Sequence, residues 1–217
     1  MATLERIGPI TSEQAGLIST AQAARIGVPA RDLARLVPGS VLERPLRGVY
    51  RVRAAPAPSH PELLAAWVLL QRGRLPGERI DEPQPPAVVS HGSAAAIHGL
   101  GAFTPSRPTL IVPQRRNSGP TEPYRAFALP LDPADWRWTY LPEGIHIAIT
   151  TPGRTLVDLS WADADPDHVR QAFRNALGDG QIELAEIEAA LRRRWSRGGR
   201  GTPFWFRDEL AHAAARA

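Results

Sequence analysis

The chain of 217 residues contains no cysteine and no lysine. The absence of cysteine excludes disulfides, thiolate nucleophiles and cysteine-based zinc or iron–sulfur sites. Because all 26 basic residues are arginine, P-loop and pyridoxal-phosphate enzymes, which need a lysine, are excluded as well. No apolar run approaches the roughly 20 residues that cross a bilayer, and the N-terminus lacks the apolar region of a signal peptide. We therefore expect a cytoplasmic protein without membrane contact.

The positive charge is concentrated at one end of the chain. The formal net charge is +4 and the isoelectric point is about 10.5. Residues 1–53 hold eight arginines against four acidic residues, whereas residues 54–150 and 151–217 are each balanced. A small basic segment beside a neutral body is typical of proteins that bind nucleic-acid phosphates.

The pattern of the first quarter predicts a helix-turn-helix. Ser19 or Thr20 is placed to cap a helix from Ala21, and Gly27 is placed to end it. Apolar residues at helical spacing predict the next short helix over residues 30–37. Two short helices joined by a turn with glycine form this motif.

Two short β-patterns follow, at residues 41–44 and 49–52, and predict a hairpin that completes a winged helix. In such domains the second helix of the motif enters the major groove, where arginine reads guanine. The wing contacts phosphates or the minor groove. We predict DNA contacts from six arginines: Arg31 and Arg35 on the helix, and Arg44, Arg47, Arg51 and Arg53 on the wing.

Residues spread through this segment resemble the N-terminal domain of AbiEi-type antitoxins. They are Gly16-Leu-Ile-Ser-Thr-Ala-Gln-Ala23, Gly27-Val28, Leu33, Leu36, Gly39, Leu42, Arg44 and Arg47-Gly-Val-Tyr50. These antitoxins are the antitoxin and repressor halves of bacterial type IV-like toxin–antitoxin pairs. One departure is Pro29, at a position where a serine- or threonine-like cap is expected.

Two later blocks, residues 90–100 and 151–158, are similar to the signature blocks that follow the winged helix in the same family. With them, the resemblance covers about residues 12–195. It implies an autorepressor that binds operator DNA upstream of its own gene, with two copies on an inverted repeat. It also implies that the body counteracts a nucleotidyltransferase-like toxin. We expect the stand-alone form, without a fused nuclease.

The rest of the chain predicts an α+β protein in three parts. These are the winged helix at residues 1–53, a proline-rich linker at 54–61, and a mixed α/β body with C-terminal helices at 62–217. Residues 76–86 are predicted to form an acidic, proline-rich loop. Strands are predicted near residues 87–90, 109–112, 124–129, 136–140 and 145–149, and helices near 61–70, 93–97, 151–160, 169–177, 184–191 and 203–215.

Several residues that resemble catalytic groups receive structural predictions. Ser93 is expected to cap its helix, and His91 and His98 to form hydrogen bonds at a helix–strand junction. Arg154 and Asp158 lie four residues apart and predict an ion pair along one helix. We expect no metal and no cofactor, since the remaining histidines share no ligand spacing: His60, His146, His168 and His212.

Two questions remain open at this point. The basic cluster from Arg192 to Arg200 is compatible with a solvated helix end, a second nucleic-acid contact, or a surface for an acidic partner. The winged helix itself is compatible with binding a protein partner in place of DNA. An enzyme acting on nucleic acid ranks last, because neither a nucleophile–base pair nor a metal cluster is evident.

Overall fold

The computed structural model describes residues 2–79, 83–112, 119, 122–162, 164–196 and 201–216. Its N-terminal part contains three helices and a three-stranded antiparallel sheet of order β1-β3-β2. The elements are α1 (Ala2–Ser12), β1 (Leu17–Ser19), α2 (Thr20–Arg25), α3 (Ala30–Arg35), β2 (Leu42–Leu46) and β3 (Val49–Val52). This order of elements is that of a winged helix, as predicted. Strand β1 was missed because three residues carry too little pattern.

Helix α2 begins as the sequence predicts. The Ser19 hydroxyl accepts a hydrogen bond from the Gln22 backbone N–H, and the Gln22 side chain accepts one from the Ser19 N–H. This capping box satisfies two backbone donors that the first helical turn otherwise leaves without partners.

The small sheet is buried on both faces. Ile18 and Tyr50 face the helices α1 to α3, with which they share a core. Leu17 and Val49, the adjacent residues on the same strands, belong to a second cluster on the opposite face. Because successive side chains of a strand point to opposite sides, the second face needs a cover from outside residues 1–53.

Helix α4 (Pro61–Leu70) supplies that cover. It is buried on nearly all sides, since seven of its ten residues are buried. Its other neighbour is the body, where the Trp67 ring meets Trp138 edge to face at 6.3 Å. One hydrophobic cluster therefore contains residues from both sides of the predicted linker. The predicted division into domains stays a prediction.

The body contains a mixed five-stranded sheet of order β6-β5-β4-β8-β7. Its strands are β4 (Val88–Val89), β5 (Thr109–Ile111), β6 (Arg125–Phe127), β7 (Trp136–Leu141) and β8 (Ile145–Thr150), which confirms all five predicted strand positions. Strands β4 and β8 are parallel. Their following helices therefore begin at the same edge of the sheet.

Six further helices complete the described part of the chain. They are α5 (Pro76–Arg79), α6 (His91–His98), α7 (Pro152–Ser160), α8 (Pro166–Gly178), α9 (Leu184–Ser196) and α10 (Phe204–Ala214). Helices α6 to α10 lie where the sequence predicts. The loop prediction for residues 76–86 is wrong at its start, because α5 forms there and buries Arg79. Among the described helices, none combines the length and apolarity that a bilayer crossing requires.

Candidate nucleic-acid interface

Helix α3 presents two arginines to solvent. Leu33 is fully buried in the core of the winged helix, so the opposite face of this short helix points outward. The side chains of Arg31 and Arg35 are each 77% exposed. Pro29 precedes the helix and provides no side-chain hydrogen bond to its first turn. The helix therefore lacks the serine- or threonine-like cap expected from the family, yet it still begins at Ala30.

Asp32 lies between these two arginines. Its Oδ1 is 3.8 Å from Arg31 Nε and 3.6 Å from Arg35 Nη1. Ion pairs of this length at an exposed surface are weak. Asp32 therefore lowers the local positive potential without fixing either guanidinium, and both remain able to turn toward another anion.

The turn before α3 is set by close contacts. Gly27 adopts φ +71°, a left-handed conformation that favours glycine. A Cβ at this position would lie 2.8 Å from Arg6 Nη2. Arg6, on α1, donates a hydrogen bond to the Ile26 carbonyl at the end of α2. Arg6 therefore has an intramolecular role that fixes the direction in which α3 leaves α2.

The wing carries three of the predicted arginines in exposed positions: Arg44, Arg47 and Arg53. Its turn is held to α2, because the Gly48 carbonyl accepts a 2.8 Å hydrogen bond from the Thr20 N–H. The Arg44 guanidinium carbon lies 5.7 Å from the centre of the Tyr50 ring. Arg53 is at the base of the wing, where its N–H donates to the Val41 carbonyl at 3.1 Å.

Arg51 has a structural role in place of the predicted DNA contact. Its side chain is only 7% exposed. One guanidinium nitrogen donates to Glu43 Oε1 at 2.8 Å, and the other donates to the carbonyls of Ala55 and Pro56 at 2.5 and 2.6 Å. The side chain belongs to the face of β3 that turns toward α4, so it fastens the wing to the segment before α4.

Arg25, which the sequence left unassigned, connects the winged helix to α5. It forms two hydrogen bonds to the Glu78 carboxylate, at 2.5 and 2.6 Å. These bonds, together with the Leu75 N–H, lower the pKa of Glu78 to about 2. Arg25 is therefore occupied within the chain. Five of the six arginines predicted to contact DNA are exposed: Arg31, Arg35, Arg44, Arg47 and Arg53.

In the body, Ser93 and His98 are structural, as predicted, although Ser93 does not cap a helix. Its Oγ accepts from the Thr109 N–H and its own N–H donates to Thr109 Oγ1, both at 2.9 Å. His98 Nε2 is 2.7 Å from the Thr150 carbonyl, the expected bond between helix and strand. His91 instead contacts the adjacent Ser90, with 2.9 Å between Nδ1 and Oγ.

The predicted pair of Arg154 and Asp158 is present, with Nε 3.0 Å from Oδ2. Arg154 also contacts Asp135 at 2.6 Å, and all three side chains are buried. Burial lowers the pKa of Arg154, but the nearby Asp158 and Asp135 carboxylates outweigh it and raise the pKa above its usual value. These groups have partners inside the fold, which supports the structural prediction.

The basic cluster of α9 belongs partly to the same network. Arg193 Nε lies 2.7 Å from Asp135, and Arg194 contacts Asp158. Arg192 is exposed, 3.6 Å from Glu188. Two members of the predicted cluster therefore face inward to carboxylates, which speaks against a nucleic-acid role for them. Arg197 and Arg200 lie outside the described residues.

The N-terminal segment is similar to a known protein family. Residues 5–53 match the family described as "Transcriptional regulator, AbiEi antitoxin", which confirms the predicted resemblance for this part of the chain. The match ends at residue 53, so the likeness of the two later blocks stays a prediction.

The fold as a whole has a solved counterpart. The crystal structure of the RV2827C protein from Mycobacterium tuberculosis is similar, with a TM-score of 0.57 and 12% sequence identity. The likeness covers 98% of this chain and 76% of that chain. At this identity it shows the fold alone. No curated protein matches the sequence.

Proposed function

We propose, from the match of residues 5–53 to the AbiEi antitoxin regulators, that this chain is an antitoxin that also represses transcription. The observation that supports the DNA-binding half is the set of five exposed arginines on α3 and the wing, within the matched segment. In this proposal Arg31 and Arg35 read bases, and Arg44, Arg47 and Arg53 contact phosphates or the minor groove.

The proposed DNA site is an inverted repeat upstream of the protein's own gene. Two copies of the chain would occupy its half-sites, one helical turn apart or at a multiple of that spacing. Because Arg31 and Arg35 flank Asp32, bound DNA must compete with a carboxylate for both guanidiniums. The competition is weak, because both contacts to Asp32 are long and exposed, so both side chains stay available for base edges.

The proposed binding of a toxin is supported by the match of residues 5–53 to the antitoxin family. The described residues of the body do not by themselves define a toxin-binding site. We propose that the body binds a nucleotidyltransferase-like toxin. Neither half requires a cofactor or a catalytic step, and we propose a binding protein of the bacterial cytoplasm, not an enzyme.

A reporter gene under the protein's own upstream region tests the DNA-binding half. Wild-type protein should repress the reporter, and Arg35→Ala should relieve the repression. Arg207→Ala removes the same charge from an exposed position of α10 and should repress like the wild type. Equal repression by wild type and Arg35→Ala would contradict the proposal.

Growth rescue tests the second half separately. Co-expression of the chain with the toxin gene adjacent to its own gene should restore growth, and Arg35→Ala should rescue equally well. Rescue that disappears with Arg35→Ala would mean that the two activities share the winged helix. Absence of any rescue by the wild type would contradict the antitoxin role and would leave the repressor role standing.

A further inference from the structure

The turn that follows α4 carries an arginine that the proposed function has not used. Arg72 is exposed, and it forms no hydrogen bond or ion pair with another described residue. It lies outside residues 5–53, the segment that matches the regulator family. The family match therefore does not point to this residue, and any role for it must be argued from its position.

The backbone at Arg72 has a conformation that favours glycine. Helix α4 ends at Leu70 with Gln71 as its C-cap, so Arg72 is the first residue beyond the helix. Many helices end there with a left-handed residue, which is usually glycine. The φ of Arg72 is +53°, and this conformation costs more free energy for arginine than for glycine. Strained residues of this kind cluster at functional sites, where the side chain itself is needed.

Close packing fixes this turn against α2. Gly73 is buried, and a Cβ at this position would lie 3.0 Å from the Cβ of Ala21, in the first turn of α2. The Gly73 carbonyl accepts a 3.1 Å hydrogen bond from Arg25 Nη1 at the end of α2. The Arg74 carbonyl accepts a 2.7 Å bond from Gln22 Nε2. The turn is therefore attached to both ends of α2, and its exposed arginine projects from a fixed point beside that helix.

The first turn of α2 also holds the wing. The Thr20 N–H donates to the Gly48 carbonyl, and a Cβ on Gly48 would lie 3.6 Å from both Thr20 Oγ1 and Leu69 Cδ1. The turn of the wing thus lies between the start of α2 and the last turn of α4. Arg47 and Arg72 are each one residue away from a glycine that packs against the first turn of α2.

A guanidinium at this place is positioned for DNA phosphates. In helix-turn-helix proteins the first helix of the motif crosses the DNA backbone while the second enters the groove, and here the first helix is α2. Glu78, the acidic residue of α5, is already bonded to Arg25 and to the Leu75 N–H. Its charge is therefore neutralised within the chain, and Arg72 keeps its own charge for an external anion.

We propose that Arg72 contacts a DNA phosphate near the one that Arg47 contacts. The DNA-binding surface then continues from the wing, past the start of α2, to the turn after α4. The contact adds affinity and fixes the position of the protein on the duplex without reading bases. This inference rests on the proposed DNA binding, and it extends that binding beyond the matched segment.

Arg72→Gly separates binding from folding, because glycine relieves the strain at φ +53° and removes the charge. The midpoint of thermal unfolding should equal or exceed that of the wild type. Affinity for the duplex upstream of the protein's own gene should fall about five- to tenfold near 0.1 M salt. The slope of log affinity against log salt should decrease by about one unit. Fluorescence anisotropy at a series of salt concentrations measures both quantities.

Two further variants identify the cause of the change. Arg72→Lys keeps the charge and should retain most of the affinity, since a phosphate accepts hydrogen bonds from either side chain. Arg207→Ala removes the same charge from an exposed position of α10 and should bind like the wild type. If Arg207→Ala weakened binding as much as Arg72→Gly, net charge and not position would be the cause, and the proposal would be overturned.

Phosphate ethylation interference locates the contact on the DNA. Ethylation of at least one phosphate should weaken binding by the wild type and leave binding by Arg72→Gly unchanged. Identical interference patterns for the two proteins would contradict the contact. If Arg72→Gly unfolds at a lower temperature than the wild type, Arg72→Asn, which also tolerates the left-handed backbone, decides the question by the same criteria.

The outcomes distinguish this inference from the proposed function. If the wild type binds the upstream duplex and Arg72→Gly binds it equally well with the same salt slope, the contact is refuted while the repressor role stands. If the wild type does not bind DNA, both proposals are refuted together.

Discussion

At the residue scale, the arginines of the N-terminal segment divide into those that hold the fold and those that face solvent. Arg6, Arg25 and Arg51 each donate to acceptors within the chain. The sequence alone does not separate these groups, because Arg51 and Arg47 have the same chemistry and lie four positions apart. What separates them is the second buried face of the sheet, which only the packing of α4 reveals.

Arg35→Ala tests base reading by α3. Because the side chain is exposed and held only by a 3.6 Å contact to Asp32, its loss should not affect folding. Binding to the operator should weaken by about 1–3 kcal/mol, and the preference should blur at one base position. Competition binding with a set of singly substituted duplexes measures both effects. Equal weakening on every sequence would make Arg35 a phosphate contact only.

Arg51→Met and Arg47→Ala should affect different properties, the first the stability of the fold and the second the binding of DNA. Arg51→Met leaves Glu43 and two carbonyls without their donor, so it should lower the free energy of unfolding by roughly 2–4 kcal/mol. Arg47→Ala should leave unfolding unchanged and reduce the slope of log affinity against log salt by about one unit. Urea denaturation and salt-dependent anisotropy distinguish the two. If Arg51→Met folds and its salt slope is reduced, the result would show that Arg51 contacts DNA.

The pKa of His91 predicts how stability changes with pH. The pKa is lowered by burial from 6.5 in the unfolded chain to about 4 in the fold, so the unfolded state binds the proton more readily between these values. Stability should therefore fall by about 2–3 kcal/mol as pH decreases from 6.5 to 4. His91→Asn should remove most of this dependence, leaving smaller contributions from His98, whose pKa burial also lowers, and from Glu78, whose pKa the hydrogen bonds from Arg25 lower. A pH dependence identical to that of the wild type would contradict this.

At the element scale, α9 is attached to the rest of the body by ion pairs. Arg193 and Arg194 reach the carboxylates that Arg154 also contacts, on the 3₁₀ turn at Pro133–Asp135 and on α7. The i, i+4 spacing was enough to predict the pair of Arg154 and Asp158. Asp135 lies 19 residues before Arg154. Its contact with Arg154 results from tertiary packing, so no local sequence pattern predicts it.

Arg154→Met should destabilise this network strongly. The change leaves Asp135 and Asp158 buried with fewer donors, and breaking a buried pair in this way costs about 3–5 kcal/mol. Arg192→Met is the matched control on α9, because its side chain is 69% exposed and its loss should stay within about 0.5 kcal/mol. Urea denaturation of both variants provides the comparison. Similar midpoints for the two variants would refute a stabilising role for the network.

At the scale of the whole molecule, the elements of the fold were largely predictable and their assembly was not. Periodicity, caps and turn residues located the hairpin, the body strands and most helices. The role of α4 was missed, because a helix buried between two sheets has no polar face to produce a pattern.

The position of α4 predicts how fragments behave. Residues 1–53 alone leave the Leu17 and Val49 face of the small sheet uncovered, so this fragment should show no cooperative thermal transition. Extension to residue 79 adds α4, which covers this face, and the Arg25–Glu78 pair, and should restore a cooperative transition. A cooperative transition in the shorter fragment would instead support the predicted domain boundary at residues 54–61.

Sequence-specific DNA binding is the central claim, and fluorescence anisotropy near physiological salt tests it most directly. The protein is titrated into the duplex upstream of its own gene and into a shuffled duplex of the same composition. The account predicts a preference of about 10³ or more for the upstream duplex. Equal weak affinity for both duplexes, or no binding to either, would contradict it and would favour a winged helix that binds a protein partner.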